Sequence, residues 1–174
     1  MSAIAIVACD QKQGIGKDGS IPWKTDLSFF KKMTTGHVVI MGRKTWESLN
    51  IQPLPDRVNI IVSNTLPQGR WKKNKSDKEY FYCEPSIGAA LAFARDLYPD
   101  KEHFIIGGEQ LYRSAFVAGL IDAVLLTKYA IDANCDTFFP MSIEDLEHHF
   151  RKFKIVDIDN DGEIPLFRVY YTDE

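Results

Sequence analysis

The sequence predicts an α/β fold: a doubly wound, mostly parallel central sheet with helices on both faces and an antiparallel hairpin at the C-terminal edge. Three observations predict it. Short runs dense in Ile, Val and Leu recur along the chain, as expected of strands buried on both faces. Between them lie segments with apolar residues three and four apart, the spacing of helices that bury one side. The final quarter changes character, with two extended runs flanking a polar Asp/Asn/Gly stretch.

Ala3–Cys9 is the first strand. Thr25 is placed to cap a helix running to about Thr35, with Leu27, Phe30 and Met33 on one face. His37–Met41 and Val58–Ser63 are the next strands, and Trp71–Lys78, basic and polar, reads as a surface loop. Pro85–Tyr98 carries Ile87, Ala90, Leu91, Ala94 and Leu97 at helical spacing. The strand His103–Ile106 runs into Gly107-Gly108 and a helix over Glu109–Ala118. Ala123–Thr127 is a further strand, and Phe153–Ile158 with Leu166–Thr172 forms the hairpin. Glu144, Asp145 and Glu147 read as a solvated face.

No repeat, low-complexity block or linker divides the 174 residues, so a single domain over 1–174 is expected. A net charge of −3 gives no general attraction to nucleic acid or acidic membranes. An anion site must then be built locally from a few basic groups and backbone amides. The N-terminal apolar run is far shorter than the roughly 20 residues of a membrane span. Cys9, Cys83 and Cys135 are odd in number and lack CxxC spacing, which suits reduced thiols and a cytoplasmic protein. His148 and His149 are adjacent and His37 and His103 isolated, so no metal site is expected.

Four clusters carry chemistry. Gly14, Gly16 and Gly19, followed by Pro22-Trp23, let a loop bend sharply and approach a ligand, or form a flexible surface turn. The spacing is not that of a dinucleotide-binding GxGxxG turn. Asp26 sits in the first turn of a helix, where a carboxylate can stabilise the dipole. Beside Trp23, Leu27 and Phe30 it can equally be an acid with a raised pKa. Gly42-Arg43-Lys44-Thr45, at a strand end where a helix should begin, places two cations beside exposed helix N–H groups and suits a phosphate. Gly107-Gly108-Glu109-Gln110 repeats that arrangement and is either a second anion site or a tight turn.

In order, GIGKDGSIPW, an acidic residue on the next helix, VIMGRKTWESL, PLPDRVNIIVS, IIGGEQLY and DTFFP closely resemble dihydrofolate reductase, from about Ile4 to Pro140. The resemblance implies a dihydrofolate reductase-like fold and NADPH-dependent reduction of 7,8-dihydrofolate to tetrahydrofolate, by a monomer acting on a small molecule. Asp26 would bond the pterin and assist protonation at N5, with Trp23 and Thr127 as its catalytic companions. Ile6, Val7, Leu27, Phe30, Lys31, Leu49 and Ile106 would surround the substrate, and Arg57 would pair with the α-carboxylate of its glutamate tail. On the cofactor side the resemblance points to Ala8, Ile15, Gly16 and Ser20. It adds Gly42, Arg43, Lys44, Thr45, Ser63 and Asn64, then Gly107, Gly108, Glu109, Gln110 and Leu111. Ile15 to Trp23 would be a mobile loop over the nicotinamide, held closed by Asp136.

Two features depart from the family pattern. Only Lys24 and Thr25 separate Trp23 from Asp26, which should pull the loop tight against the helix. Asn64 stands where many relatives carry serine or arginine near the 2′-phosphate, which suggests a weakened preference for NADPH over NADH. A related pterin or pyrimidine reductase and a silent nucleotide-binding protein are the competing readings. Arg57 in its Pro-Leu-Pro context argues against the first, and the retained acid and loop argue against the second.

Overall fold

The computed structural model describes residues 3–22, 26–73, 79–159 and 164–174, with backbone alone at 26 and 157–159. In chain order the elements are β1 (Ala3–Cys9), β2 (Gly14–Gly16), α1 (Asp26–Thr34), β3 (Val38–Gly42), α2 (Arg43–Ser48), β4 (Val58–Val62), β5 (Gly69–Lys72) and β6 (Tyr80–Glu84). There follow α3 (Ile87–Leu97), β7 (His103–Ile105), α4 (Glu109–Val117), β8 (Ala123–Tyr129), β9 (Thr137–Phe138), α5 (Ile143–His149), β10 (Lys152–Asp159) and β11 (Leu166–Thr172). Nine strands form one sheet in the order β10-β11-β8-β1-β7-β3-β4-β6-β5, and β2 pairs with β9 apart from it. The run from β8 to β6 is parallel. Both margins are antiparallel: the expected hairpin β10–β11 joins β8, and β5 joins β6.

The second margin corrects the sequence reading. Trp71 and Lys72 belong to β5, whereas residues 74–78 lie outside the described residues. β5 reads Gly-Arg-Trp-Lys and buries no side chain, so no apolar run announces it.

Period-two alternation sorts the core into two layers. Ala3, Ala5, Val7, Val38, Ile40, Ile60 and Ile105 face α3, α4 and α5, packing on Leu91, Ala94, Ala115 and Leu146. Ile4, Ile6, Val39, Met41, Ile61 and Phe104 face the other way, against Trp46 of α2 and against α1. Truncating fully buried Leu91 to Ala costs about 2–5 kcal/mol by cavity formation. On α1 the inward residues are Phe29, Phe30 and Met33, while Leu27 is 53% exposed. Of the expected face, Phe30 and Met33 do turn inward, whereas Leu27 is turned toward solvent and Phe29, four before Met33, takes its place. The helix does begin at Asp26, but its expected cap Thr25 lies outside the described residues.

The α5 carboxylates are exposed as expected, with an added task for Asp145, which closes a capping box with Ser142. All three cysteines are free, with Cys9 and Cys83 buried. Among the described residues no helix is long and apolar enough to cross a membrane, and no group of ligating side chains could hold a metal ion.

Candidate active site

In parallel α/β sheets, ligands bind beyond the carboxyl ends of the strands. Two sequence clusters meet there. β3 and β7 are neighbours, so the turns that follow them touch: the Gly42 N–H donates to the Gly107 carbonyl at 2.9 Å. Gly107 has φ +122°, which favours glycine, and is joined to Gly108 by a cis peptide. A Cβ on Gly108 would stand 3.4 Å from the Thr45 hydroxyl oxygen, and one on Gly107 3.6 Å from the Tyr112 hydroxyl. The two helix starts therefore lie side by side, joined through their glycine backbone. α2 and α4 both begin on glycine with no side-chain cap bond, which leaves their first N–H groups for another partner.

Basic and polar groups border these helix starts. Arg43 is exposed and donates to the Thr65 hydroxyl at 3.2 Å, with Glu47 at 3.4 Å on its other side. Lys44 is exposed beside it and Thr45 partly buried. Ser63 is buried, and its oxygen accepts from the Thr65 and Leu66 N–H groups, shaping the turn that presents exposed Asn64. Gln110 is exposed, whereas Leu111 is core, so Leu111 offers a ligand its backbone alone. Glu109 has a second occupation, accepting from the Phe138 N–H at 2.9 Å.

A second wall runs from β1 to α1. Ile6 and Val7 are buried and Ala8 half-buried, with Ala8 and Thr127 partners in the β1–β8 register. Thr127 is 1% exposed. Phe30, Leu49 and Ile106 are half-buried along one core layer, and Lys31 is exposed on α1. Arg57 is anchored at the far end of α1. Its Nε donates to the Pro55 carbonyl at 2.8 Å and a terminal nitrogen to Thr34 Oγ1 at 3.1 Å, with the guanidinium 5.8 Å from the Phe30 ring centre. Burial lowers its pKa, partly offset by Asp56. The Asp26 side chain and residues 23–25, including Trp23 and the short link, lie outside the described residues.

The glycine-rich loop is ordered by more than its glycines. Gly14 and Gly16 pair with Phe138 and Thr137, and Lys17 and Ser20 exchange two 2.9 Å backbone bonds. Asp18 (φ 50°) and Gly19 (φ 75°) turn the hairpin between them, the two positive φ values of a type I′ turn. Asp136 accepts from the Asp18 N–H at 3.0 Å, the contact expected of it, and its own N–H bonds Gly16. Ile15 packs against the core, while Gly16 is half-buried and Ser20 exposed.

Three contributors escaped the sequence reading. Tyr112, three residues into α4, donates to the Ile6 carbonyl at 2.7 Å and links the two walls. Thr65 supports Arg43. Asp10, at the end of an apolar run, holds the base of the loop. A tyrosine on a helix face or a threonine in a turn carries no signal of its own until its long-range partner is known.

The dihydrofolate reductase family model matches residues 2–172. The chain is 35% identical to a dihydrofolate reductase of Haemophilus influenzae over 163 residues, 92% of each protein. It is 36% identical to one of Schistosoma mansoni over 152 residues, 78% of this chain and 76% of the relative. It is also 37% identical over 166 residues to a bifunctional dihydrofolate reductase-thymidylate synthase of Daucus carota, 87% of this chain and 31% of the relative. The chain thus spans under a third of the bifunctional relatives and most of the single-function ones. Match, coverage and fold agree: this chain belongs to the dihydrofolate reductase family.

Proposed function

We propose that the chain reduces 7,8-dihydrofolate to 5,6,7,8-tetrahydrofolate with NADPH as reductant. Beyond family membership, the observation that carries this reading is the pair of uncapped helix starts joined through Gly42 and Gly107 and flanked by Arg43. Glycine at those positions leaves the room a dinucleotide diphosphate needs, and the unpaired N–H groups suit its charge. NADPH, when bound, supplies the hydride that goes to pterin C6.

The protein's residues do the rest. Arg43 and Lys44 bind phosphate, with Thr45, Ser63 and Asn64 beside the adenosine half. Gly107 to Leu111 present backbone N–H groups to the diphosphate. Ala8 meets the carboxamide, and Ile15, Gly16 and Ser20 close over the nicotinamide with Trp23, excluding water and aligning the reacting carbons. Ile6, Val7, Leu27, Phe30, Lys31, Leu49 and Ile106 hold the substrate. Arg57, kept in place by Pro55 and Thr34, receives the glutamate carboxylate as a planar fork. Asp26, supported by Thr127, hydrogen-bonds the pterin and assists protonation at N5. A monomeric enzyme is part of this reading, and the free cysteines suit the cytoplasm.

Asp26→Asn keeps the shape and removes the proton source. At neutral pH it should lower kcat by about 10²–10⁴-fold while circular dichroism stays unchanged. Near-normal turnover, followed as loss of reduced-nicotinamide absorbance with dihydrofolate, would sink the role of Asp26. A strong preference in kcat/KM for NADPH over NADH would remove the weakened discrimination assigned to Asn64.

A further inference from the structure

Besides backbone bonds to Ile131, Phe139 and Asp136, two carboxylates of different kind tie the loop to the body. At its tip, exposed Asp136 bonds one N–H, that of Asp18. At its base, Asp10 is 1% exposed and bonds three. One carboxylate oxygen of Asp10 accepts from the Lys12 and Gly14 N–H groups, both at 2.8 Å. The other accepts from Ala133 at 2.9 Å, 123 residues along the chain. The Cys135 thiol also lies against this carboxylate; burial and the Asp10 charge push its pKa up. Gly14 is closed in so tightly that a Cβ there would come within 2.6 Å of the Cys135 sulfur and 3.0 Å of the Asp10 oxygen.

We propose that Asp10 is a positioning residue for the reaction: its buried carboxylate fixes the base of the Gly14–Ser20 loop to the segment that carries Asp136, and so determines where the loop closes. The β2–β9 ribbon is short: Gly14 pairs with Phe138 and Gly16 with Thr137, and the Phe139 and Asp136 N–H groups bond the Gln13 and Gly16 carbonyls. Asp10 adds a buried, charged constraint to it, because one rigid group binds both strands' approaches at once. A carboxylate suits the task chemically. It is acceptor-only, so it takes N–H groups from several directions, and its charge shortens and strengthens each bond. Asparagine cannot do the same: if its oxygen takes Lys12 and Gly14, its NH₂ confronts the Ala133 N–H. Asp10→Asn therefore breaks the long-range tie and spares the local turn.

The kinetic arm rests on the proposed reductase activity, and the proteolytic arm does not. In the full-length protein, Asp10→Asn should raise tryptic cleavage after Lys12 and Lys17 about tenfold relative to cleavage elsewhere, the opening expected from losing one charge-assisted bond. The same variant should lower kcat about tenfold, with KM for dihydrofolate shifted less than roughly threefold, because the loop is misplaced and the substrate walls are not. Asp145→Ala removes a carboxylate–backbone bond far from the loop and should change neither readout. Ala133→Pro deletes the long-range donor while leaving Asp10 charged, and should reproduce both effects if Asp10→Asn fails to fold. Loop cleavage and kcat within about twofold of the parent would overturn the proposal, as would cleavage rising equally at all lysines. Absence of dihydrofolate turnover in the parent would count against the reductase reading alone, since the cleavage arm still reports on Asp10.

Discussion

The two ends of the parallel strands treat their polar groups differently. At the amino end side chains of the protein take up several of the backbone ones. Asp122 accepts from the Ala3 N–H at 2.9 Å, His37 from the Glu102 N–H at 3.0 Å, and Lys101 reaches the Gly36 carbonyl at 2.7 Å. At the carboxyl end α2 and α4 start on bare glycines, with Arg43 and Lys44 exposed beside them. The contrast extends to the helices themselves: α3 and α5 are capped by Ser86 and Ser142. Where a helix start serves stability, a side chain of the protein occupies it. The starts of α2 and α4 have no such side chain, as the proposed phosphate site requires.

The sharpest way to break this comparison is Arg43→Ala. If the carboxyl end is a phosphate site, KM for NADPH should rise about ten- to a hundredfold, with the effect shrinking at high salt, and thermal stability should hardly move. The exposed pair with Glu47 contributes little to folding. An unchanged KM would mean that the open helix starts have some other use. Ser86→Ala should do the reverse. Losing the bond to the Ala89 N–H costs about 1 kcal/mol of stability, or roughly 2–4 °C in Tm, with kinetics untouched. A kinetic effect of that variant would blur the division between capped and open helices.

The smallest effect concerns pH. His103 is fully buried at the amino end, and burial holds its pKa below the ordinary 6.5. The unfolded chain then takes up a proton near pH 6.5 that the folded protein resists, so stability declines as pH falls through that value toward the lower folded one. His103→Gln should flatten the slope of stability against pH below 6.5, measured by urea denaturation at several pH values. An unaltered slope would place the acid sensitivity elsewhere.

Legibility in the sequence followed the range of the interaction. β1 and α3 were readable because their signals are local: an unbroken apolar run, and apolar residues at 87, 90, 91 and 94. The Gly42 and Gly107 turns were readable as strand-to-helix turns because each follows a strand and precedes a helix within a few residues. β5 was not, since an edge strand with Arg70, Trp71 and Lys72 exposed has no apolar face. On α1, Phe30 and Met33 were placed correctly but Leu27 was not, because Leu27 and Phe29 are both apolar and only the sheet decides which turns inward. Asp10 was invisible for a different reason: an aspartate after an apolar run looks like the end of a strand, and its decisive partner, Ala133, is remote.

That second antiparallel margin also bears on how the molecule behaves in a crowded solution. A sheet with an open edge offers unpaired N–H and C=O groups to any extended chain that meets it, the start of intermolecular growth. Here the outermost strand is four residues long and carries Arg70 and Lys72, with Lys73 just beyond. A second copy approaching that edge would bring its own cations against these. The short, charged strand that gave no signal of itself in the sequence is thus a guard on colloidal stability, and replacing its cations with valine would turn the margin into a seed for aggregation.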